Sequence, residues 1–285
     1  SYGGEPVFAK TLQNLDNLGR LTIETPKTVV NLQLEDNLWR VMEIGNYYAG
    51  YRQINNLFND FADARIYRRR GPATDADEKK FGLDDNAFRV ITRDAGGQIL
   101  NSVLIGKAAA DNLYHFARIE GEKDVFLITG NFSFPKTAVS WLQQPLLSLS
   151  PADIRSLKIG QETAVRSDII VPLKIKGKQA VPDISRYLNA LGFVAAYDVR
   201  RSADFDRLQF SAPKSLTVTT FDGLVVTIEV YGRTGEEYWA SLKFSTTTLP
   251  TTAVNDYIKS SAFLYEDWYF RLAPDVGRIL FNAFI

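Results

Sequence analysis

Two stretches of the chain share one local pattern although more than a hundred residues separate them. TTFDGLVVTIEV, residues 219–230, is typical of a strand, a turn at Asp222-Gly223 and a second strand. VITRDAGGQILNSVLIG, residues 90–106, has the same shape, and its looser turn also begins at an Asp. The repeated hairpin predicts one module used twice, which constrains the fold more than any other feature.

An amphipathic helix precedes each hairpin, in AGYRQINNLFNDFADA and in PDISRYLNALGFVAA. Apolar residues recur in both at helical spacing, at Ile54, Leu57, Phe58 and Phe61 in the first and at Ile184, Tyr187, Leu188 and Leu191 in the second. Asp183 is placed to cap the second helix. Each helix is therefore expected to bury one apolar face.

Short alternating segments flank both helices. LGRLTIET, KTVVNLQL and LWRVME precede the first helix, and DIRSLKIG and DIIVPLKI precede the second. Each hairpin leads into an aromatic strand, LYHFARI or EYWASLKF, so that the elements recur in one order. We therefore predict an α+β protein of two homologous modules, residues 1–150 and 151–285, each a mainly antiparallel sheet with one principal helix.

The remaining segments complete this outline. The bridge between the modules is expected to carry a short helix around Trp141. TTAVNDYIKSSAF predicts a helix, DWYFRL a strand and PDVGRILFNAFI a terminal helix. RRRGPATDADEKK has no apolar periodicity and is interpreted as a solvated loop.

The composition excludes several classes of function. The 33 basic and 33 acidic residues cancel, so a global attraction to nucleic acid is not expected. The sequence contains no Cys and a single His, which excludes disulfides, Cys-based zinc sites and multi-histidine metal sites. The chain opens at SYGGEPVF without an initiator Met, which is consistent with removal of an N-terminal segment.

Candidate chemical groups are few, and we predict no catalytic, cofactor-binding or metal-binding residue. His115, in an alternating aromatic strand, is interpreted as structural or exposed rather than as a base. Asp84 and Asp222 are assigned to turns, and Asp84 also to helix capping. Arg68, Arg69 and Arg70 form the one basic run, which either ends a solvated strand or meets an anionic headgroup or an acidic partner.

The large aromatics admit two interpretations. Trp39, Trp141, Trp239 and Trp268 lie in apolar or alternating segments, and core packing is their ordinary role. In EDWYFRL, strand alternation places Trp268 on one face and Tyr269 on the other, so one aromatic points outward unless the terminal helix covers it. Trp239, Trp268 and Tyr269 therefore join the three arginines as candidate interaction residues.

Taken together, the segments resemble a known family along essentially the whole chain. The resemblance rests on PVFAKTLQNLDNLGRLTIET, NLWRVMEIGNYYAGYRQINNLFNDFADARI, FGLDDNAFRVITRDAGGQILNSVLIGK, WLQQPLLSLSPADIRSLKI, TTFDGLVVTIEV and DWYFRLA. These are similar to the domain of unknown function 4340 family. The resemblance implies a bacterial periplasmic protein held to the inner membrane by an N-terminal helix, encoded beside an ABC transporter of the gliding-motility type. The family offers no agreed catalytic residues.

Two functional hypotheses follow. The first is a non-catalytic accessory protein that contacts ABC transporter subunits. The second is a protein that binds a lipid, glycan or peptide between the modules. Buried tryptophans at positions 39, 239 and 268 with no cavity would favour the first, and a rim of exposed aromatics around a cleft would favour the second. A hydrolase would need polar groups converging on His115.

Overall fold

The computed structural model describes residues 4–85, 87–178 and 184–282. The chain divides into two compact units, residues 1–143 and 144–285, which are treated separately below. This division lies a few residues before the boundary predicted from the sequence, which falls between Ser150 and Pro151. Residues 144–149 belong with the second unit because the backbone N–H of Leu146 donates to the carbonyl of Val194, and that of Leu149 to the carbonyl of Leu191.

The first unit is built on a nine-stranded antiparallel sheet among its described residues. Its strands are β1 (Leu18–Glu24), β2 (Val29–Glu35), β3 (Leu38–Val41), β4 (Tyr47–Tyr48), β5 (Arg65–Pro72), β6 (Phe88–Asp94), β7 (Ile99–Ala108), β8 (His115–Ile119) and β9 (Asp124–Thr129). Their order across the sheet is β4-β3-β2-β1-β6-β7-β8-β9-β5. The helices are α1 (Ala9–Gln13), α2 (Tyr51–Asp63) and α3 (Asp75–Phe81), with a short 3-10 helix at Ala138–Trp141.

The second unit contains an eight-stranded antiparallel sheet among its described residues. Its strands are β10 (Ile154–Ile159), β11 (Glu162–Val165), β12 (Lys174–Ile175), β13 (Ala196–Arg201), β14 (Lys214–Thr220), β15 (Leu224–Arg233), β16 (Glu237–Thr246) and β17 (Trp268–Leu272), in the order β12-β11-β10-β14-β15-β16-β17-β13. The helices are α4 (Ile184–Gly192), α5 (Thr252–Ser261) and α6 (Pro274–Phe281).

The two sheets have the same topology. Matching β1 with β10, α2 with α4 and β5 with β13 reproduces the first strand order in the second, except for the additional edge strand β4. Irregularities coincide as well, since the first strand of each unit has a register shift at its start, at Leu18/Arg20 and at Ile154/Ser156. The second unit inserts α5 between the strands that match β8 and β9. The α+β fold of two modules predicted from the sequence is confirmed.

The principal helices bury the faces that their periodicity predicted. In α2, Ile54, Leu57 and Phe61 are buried, and Phe58 is only half-buried. In α4, Tyr187 and Leu191 are buried and Leu188 is half-buried. The predicted cap Asp183 lies outside the described residues. The helices α5 and α6 and the strand β17 also form where the sequence predicted them.

Two segment predictions were wrong. RRRGPATDADEKK is not a solvated loop, because its first residues complete β5 and the rest forms α3. Thr74 begins α3 through a reciprocal capping box with Asp77, a signal that apolar periodicity does not register. DIIVPLKI is not a strand along its length either, since only Lys174 and Ile175 pair, with β11 as their neighbour.

Replacement of Gly223 tests the geometry of the hairpin between β14 and β15. The turn between β14 and β15 comprises residues 221–223, and Gly223 adopts φ +97°. A Cβ atom there would lie 2.7 Å from the Cα atom of Pro250. Gly223→Ala is therefore expected to lower the free energy of unfolding by about 2–3 kcal/mol, from the positive φ and the contact together.

Gly235→Ala is the matched control, because Gly235 also has positive φ, at +88°, but nothing lies within 4 Å of its added Cβ. It should cost about 1 kcal/mol in urea denaturation. Equal losses in the two variants would contradict a steric contribution from Pro250.

Candidate functional site

The three arginines of the basic run lie on β5, an edge strand of the first sheet. Arg69 forms an ion pair with the buried carboxylate of Asp124 on β9. The guanidinium of Arg70 lies 5.8 Å from the ring centroid of Phe81, and that of Arg68 lies 6.0 Å from the ring of Tyr67. Arg69 thus has a structural partner, and Arg68 and Arg70 present their charge at the surface.

Of the other three candidate residues, Trp239 and Tyr269 meet in the second module, and Trp268 lies on the opposite face of β17. Five aromatics form the Phe205 cluster, which comprises Phe205, Phe210, Tyr231, Trp239 and Tyr269. The ring of Phe205 stacks on Tyr269 at 4.0 Å and on Phe210 at 5.0 Å between centroids. It meets Tyr231 edge-on and Trp239 at a tilt, both at 5.6 Å. One side chain thus contacts the other four.

Strand register places the cluster. Tyr231 on β15 pairs directly with Trp239 on β16, and Trp239 pairs with Arg271 on β17, two residues from Tyr269. Because alternate residues share a face, these aromatics lie on one side of the sheet. Phe205 reaches them from the connection between β13 and β14, which is shaped by 3-10 turns at Ser202–Asp204 and Arg207–Gln209.

Arginines stack over the cluster. The guanidinium carbon lies 4.6 Å from the ring of Trp239 for Arg200, 5.4 Å from Tyr269 for Arg207 and 4.9 Å from Phe210 for Arg233. Each is within the range in which a cation is attracted to an aromatic face. The cluster is therefore an apolar centre under a basic layer.

Two glutamates complete the polar contacts of the cluster. The indole Nε1 of Trp239 donates to Oε1 of Glu237 at 2.7 Å, and Arg233 donates to Oε2 of the same carboxylate. The hydroxyl of Tyr231 donates to Glu229 at 3.1 Å. Burial alone would raise the pKa of Glu237, but the hydrogen bonds from Trp239 and Arg233 outweigh it and lower that pKa. Burial raises the pKa of Tyr231, so its hydroxyl stays protonated as a donor.

A cleft of about 470 Å³ adjoins the cluster. It lies where β16 runs on beyond its pairing with β17. Charged groups of both signs line it, at Arg207, Glu229, Lys243, Glu266 and Asp267. Phe244, Tyr265, Trp268 and Tyr269 also line it, so the cleft combines charged and aromatic groups.

Trp268 and Tyr269 are both buried, with 4% and 2% of their surface exposed. The sequence suggested that one face of this strand stays open unless the terminal helix covers it. Phe205 covers Tyr269 instead, and on the opposite face the ring of Phe270 approaches Tyr265 at 6.2 Å. Trp239 is fully buried and Trp39 half-buried.

The remaining candidates have structural surroundings. Nδ1 of His115 lies 3.4 Å from the carbonyl oxygen of Gly106, and its ring meets Phe132 edge-on at 5.1 Å. Asp84 accepts at its backbone carbonyl from Ala87 in a turn, and α3 has already ended at Phe81. Within the described ranges, no group of three or more His, Asp or Glu could hold a metal ion. In the same ranges, no helix has the length and hydropathy to cross a membrane.

A second, amide-rich cleft of about 400 Å³ lies in the first module. Its lining includes Gln53, Asn56, Asn59, Asp60 and Asn131. Burial, reinforced by the nearby carboxylate of Asp63, raises the pKa of Asp60 to about 6. Because the charged form is disfavoured in the fold, Asp60 costs stability increasingly as pH rises from about 4 to about 6, and the cost stays constant above that.

Asp60→Asn should therefore raise the free energy of unfolding by about 1 kcal/mol at pH 7.5, a value that allows for solvent screening of a partly exposed group. At pH 4 the gain should vanish. Urea denaturation at the two pH values measures both quantities, with Asp63→Asn as the variant that removes only the charge repulsion. A gain at pH 4 equal to that at pH 7.5 would contradict the shifted pKa.

The fold defines a two-module α+β protein. The family model described as Domain of unknown function (DUF4340) matches residues 39–213. The match spans more than half of the chain, so the chain belongs to this family. Neither the curated proteins nor the solved structures gave a match. Membership of the family inferred from the sequence is confirmed, and the match that confirms it covers residues 39–213 rather than the whole chain.

Sequence reasoning missed the residue at the centre of the cluster. Phe205 and Phe210 are isolated aromatics in the polar stretch RRSADFDRLQFSAPK, to which the sequence pattern assigns neither a helix nor a strand. Two large aromatics in such a stretch are themselves a signal, because an exposed connection gains nothing from them. The arginines at 200 and 207 carry no periodic pattern, so their stacking could be found only from the structure.

Proposed function

We propose that this chain is a non-catalytic, extracytoplasmic accessory protein of an ABC transporter complex, tethered to the inner membrane by an N-terminal helix outside this sequence. The proposal starts from membership of the DUF4340 family. The resemblance to that family supports the transporter as partner and the periplasm as the compartment. In this role the two modules act as a scaffold that contacts other subunits.

The covered Phe205 cluster is the observation that carries the proposal. A ligand-binding protein would be expected to display its aromatics around a cleft. Here Trp239, Trp268 and Tyr269 are buried, and the chain's own Phe205 occupies the space over Tyr269. Aromatic burial of this kind serves packing and supports the accessory role. The half-buried Trp39 and the cleft that Trp268 and Tyr269 line are the features that the lipid-, glycan- or peptide-binding alternative would use.

Arg68 and Arg70 are the proposed contact residues for an acidic partner. Both are exposed on an edge strand, where charged side chains also discourage sheet-to-sheet association. The side chain of Arg69 supports them by pairing with Asp124. A partner carboxylate would compete with water for two arginines already held near aromatic rings.

Co-purification tests the proposal. The intact, membrane-anchored protein is isolated from its native host in mild detergent, and bound proteins and lipids are identified by mass spectrometry. ABC transporter subunits are the expected result. A lipid, glycan or peptide recovered without transporter subunits would overturn the accessory role.

The contact surface is tested by charge reversal. Arg68→Glu combined with Arg70→Glu should reduce recovery of the transporter by at least roughly tenfold, because two attractive contacts become repulsive. Arg52→Glu reverses an exposed arginine on α2 and is the control expected to have no effect. Full recovery with the double variant would exclude this edge as the contact.

A further inference from the structure

The connection between β11 and β12 exposes an unusual apolar segment. We name residues 166–173 the 166–173 loop. Ile169 is 51% exposed, Ile170 87% and Val171 36%, and neighbouring Val165 is 48% exposed. Single exposed apolar residues need no explanation, but consecutive exposed branched residues at a loop tip indicate a contact surface.

The fold itself does not require this loop. In the first module the matching strands β2 and β3 are joined by Asp36 and Asn37 alone, both with positive φ. The second module makes the same connection through residues 166–173. The repeated topology therefore serves as an internal comparison, in which the longer connection is an addition to one module.

Arg166 holds the loop in place. Its guanidinium donates to four backbone carbonyls at 2.5–3.2 Å, those of Pro151, Ala152, Ile154 and Ile169. Its guanidinium carbon also lies 5.6 Å from the ring of Phe221. Because these bonds fix the base of the loop, Ile169 and Ile170 are presented to solvent in an ordered conformation.

Basic side chains outnumber acidic ones in the segment that carries the apolar tip. Residues 165–178, VRSDIIVPLKIKGK, contain four basic side chains and one acidic side chain. The basic residues are Arg166, Lys174, Lys176 and Lys178, and the last pairs with Glu162. Lys174 pairs across the hairpin with Val165, so an exposed lysine borders the exposed apolar residues. The one acid, Asp168, accepts from the backbone N–H of Ile170.

We propose that the 166–173 loop is a membrane-surface contact, in which Ile169, Ile170 and Val171 enter the interfacial region of an anionic bilayer. Lys174 and Lys176 then lie against anionic lipid headgroups. This assignment does not depend on the transporter role. It gives the second module a lipid contact of its own.

The composition of the loop favours a bilayer over a protein partner. Energetically dominant residues of protein interfaces are enriched in Trp, Tyr and Arg, and interfaces are depleted in Lys. The exposed apolar residues of the loop are aliphatic, and the lysines Lys174 and Lys176 follow it directly in the sequence. Lysine near an anionic surface is attracted without needing a shaped partner.

Vesicle binding tests the proposal. The purified chain is sedimented with vesicles of phosphatidylglycerol and phosphatidylethanolamine, and with phosphatidylcholine vesicles. Binding is expected to the anionic vesicles and should weaken with added salt. Ile169→Ser with Ile170→Ser should reduce partitioning at least roughly tenfold, and Lys174→Gln with Lys176→Gln roughly fivefold per lysine.

Matched controls lie elsewhere on the surface. Leu249→Ser removes an aliphatic residue that is 89% exposed, and Lys123→Gln removes an exposed lysine. Neither should change partitioning. An absence of vesicle binding by the parent chain, or equal losses in control and loop variants, would overturn the proposal.

A site-specific label gives an independent readout. The sequence contains no Cys, so Ile170→Cys provides a single attachment site for an environment-sensitive fluorophore. Its emission should shift to the blue on anionic vesicles, and quencher-bearing lipids should reduce its intensity. The same label at Leu249→Cys should respond to neither. A label at position 170 that stays in water while the chain sediments with vesicles would assign binding to another surface and contradict the proposal.

Discussion

Replacing Phe205 by alanine is expected to lower the free energy of unfolding of the second module by about 3–5 kcal/mol. Phe205 is 6% exposed and contacts each of the other four aromatics of the cluster. Its removal leaves a cavity above Trp239 and Tyr269 that the connection from β13 to β14 cannot close without moving. Loss of the aromatic contacts adds to the lost transfer energy.

Urea denaturation followed by tryptophan fluorescence measures this effect, because Trp239 and Trp268 are buried in the same module. Phe205→Leu keeps most of the volume and should cost about 1–1.5 kcal/mol. Phe263→Ala, at a side chain that is 41% exposed, is the surface control and should cost under about 1 kcal/mol. If Phe205→Ala lowered the free energy of unfolding no more than Phe263→Ala, Phe205 would not be the residue that holds the cluster together.

The Phe205 variant also bears on function. Uncovering Trp239 and Tyr269 converts a packed aromatic centre into an open one, lined by Arg200 and Arg207. If a small molecule bound to Phe205→Ala and not to the parent chain, the covering role of Phe205 would be supported directly. Binding to the parent chain at this place would instead favour the ligand-binding alternative.

The repeat and its principal elements were predictable because they depend on local signals. Apolar spacing identified α2 and α4, and the Asp-Gly turn identified the β14–β15 hairpin. The strand order was not accessible, because nothing in β5 indicates that it crosses the sheet to pair with β9. The shared strand order of the two sheets confirms the repeat, which the sequence pattern alone could only suggest.

The failed predictions share a physical reason. α3 has no apolar periodicity and depends on the Thr74 capping box, and the 166–173 loop has apolar residues without a partner strand. In the first case polar contacts make a helix, and in the second Arg166 donates to the backbone carbonyl of Ile169 in a loop whose apolar side chains stay exposed. A prediction from the apolar pattern assumes that apolar residues are buried. It therefore assigned a strand to DIIVPLKI, where Ile169 and Ile170 are exposed in a loop.

The surroundings of the candidate site residues could not be predicted, because they depend on contacts between distant parts of the chain. Trp239, Trp268 and Tyr269 were singled out as candidate interaction residues because they are large aromatics in strand segments, and the structure buries all three. Their cover comes from a segment far along the chain, and a contact of this range leaves no spacing rule in the sequence. Arg69 could not be distinguished from Arg68 and Arg70, because its partner Asp124 lies on a strand that becomes its neighbour only in the folded sheet.

The second large effect is expected in α2, where Phe61→Ala should lower the free energy of unfolding of the first module by about 3–5 kcal/mol. Phe61 is fully buried, and its ring lies 4.5 Å from that of Phe8. Phe58, one turn earlier, is half-buried and lies 6.0 Å from both Trp39 and Phe61.

Phe58→Ala is therefore the internal control, and it should cost only about 1–2 kcal/mol, since part of its ring already faces solvent and alanine favours the helix. Phe58 and Phe61 belong to the same apolar stripe, so the sequence alone predicts equal contributions to stability from the two side chains. A measured difference between the two variants in urea denaturation would show that the rotation of α2 against the sheet decides the energetics. Equal losses would mean that the helix buries both rings alike, and the orientation of α2 described above would be wrong.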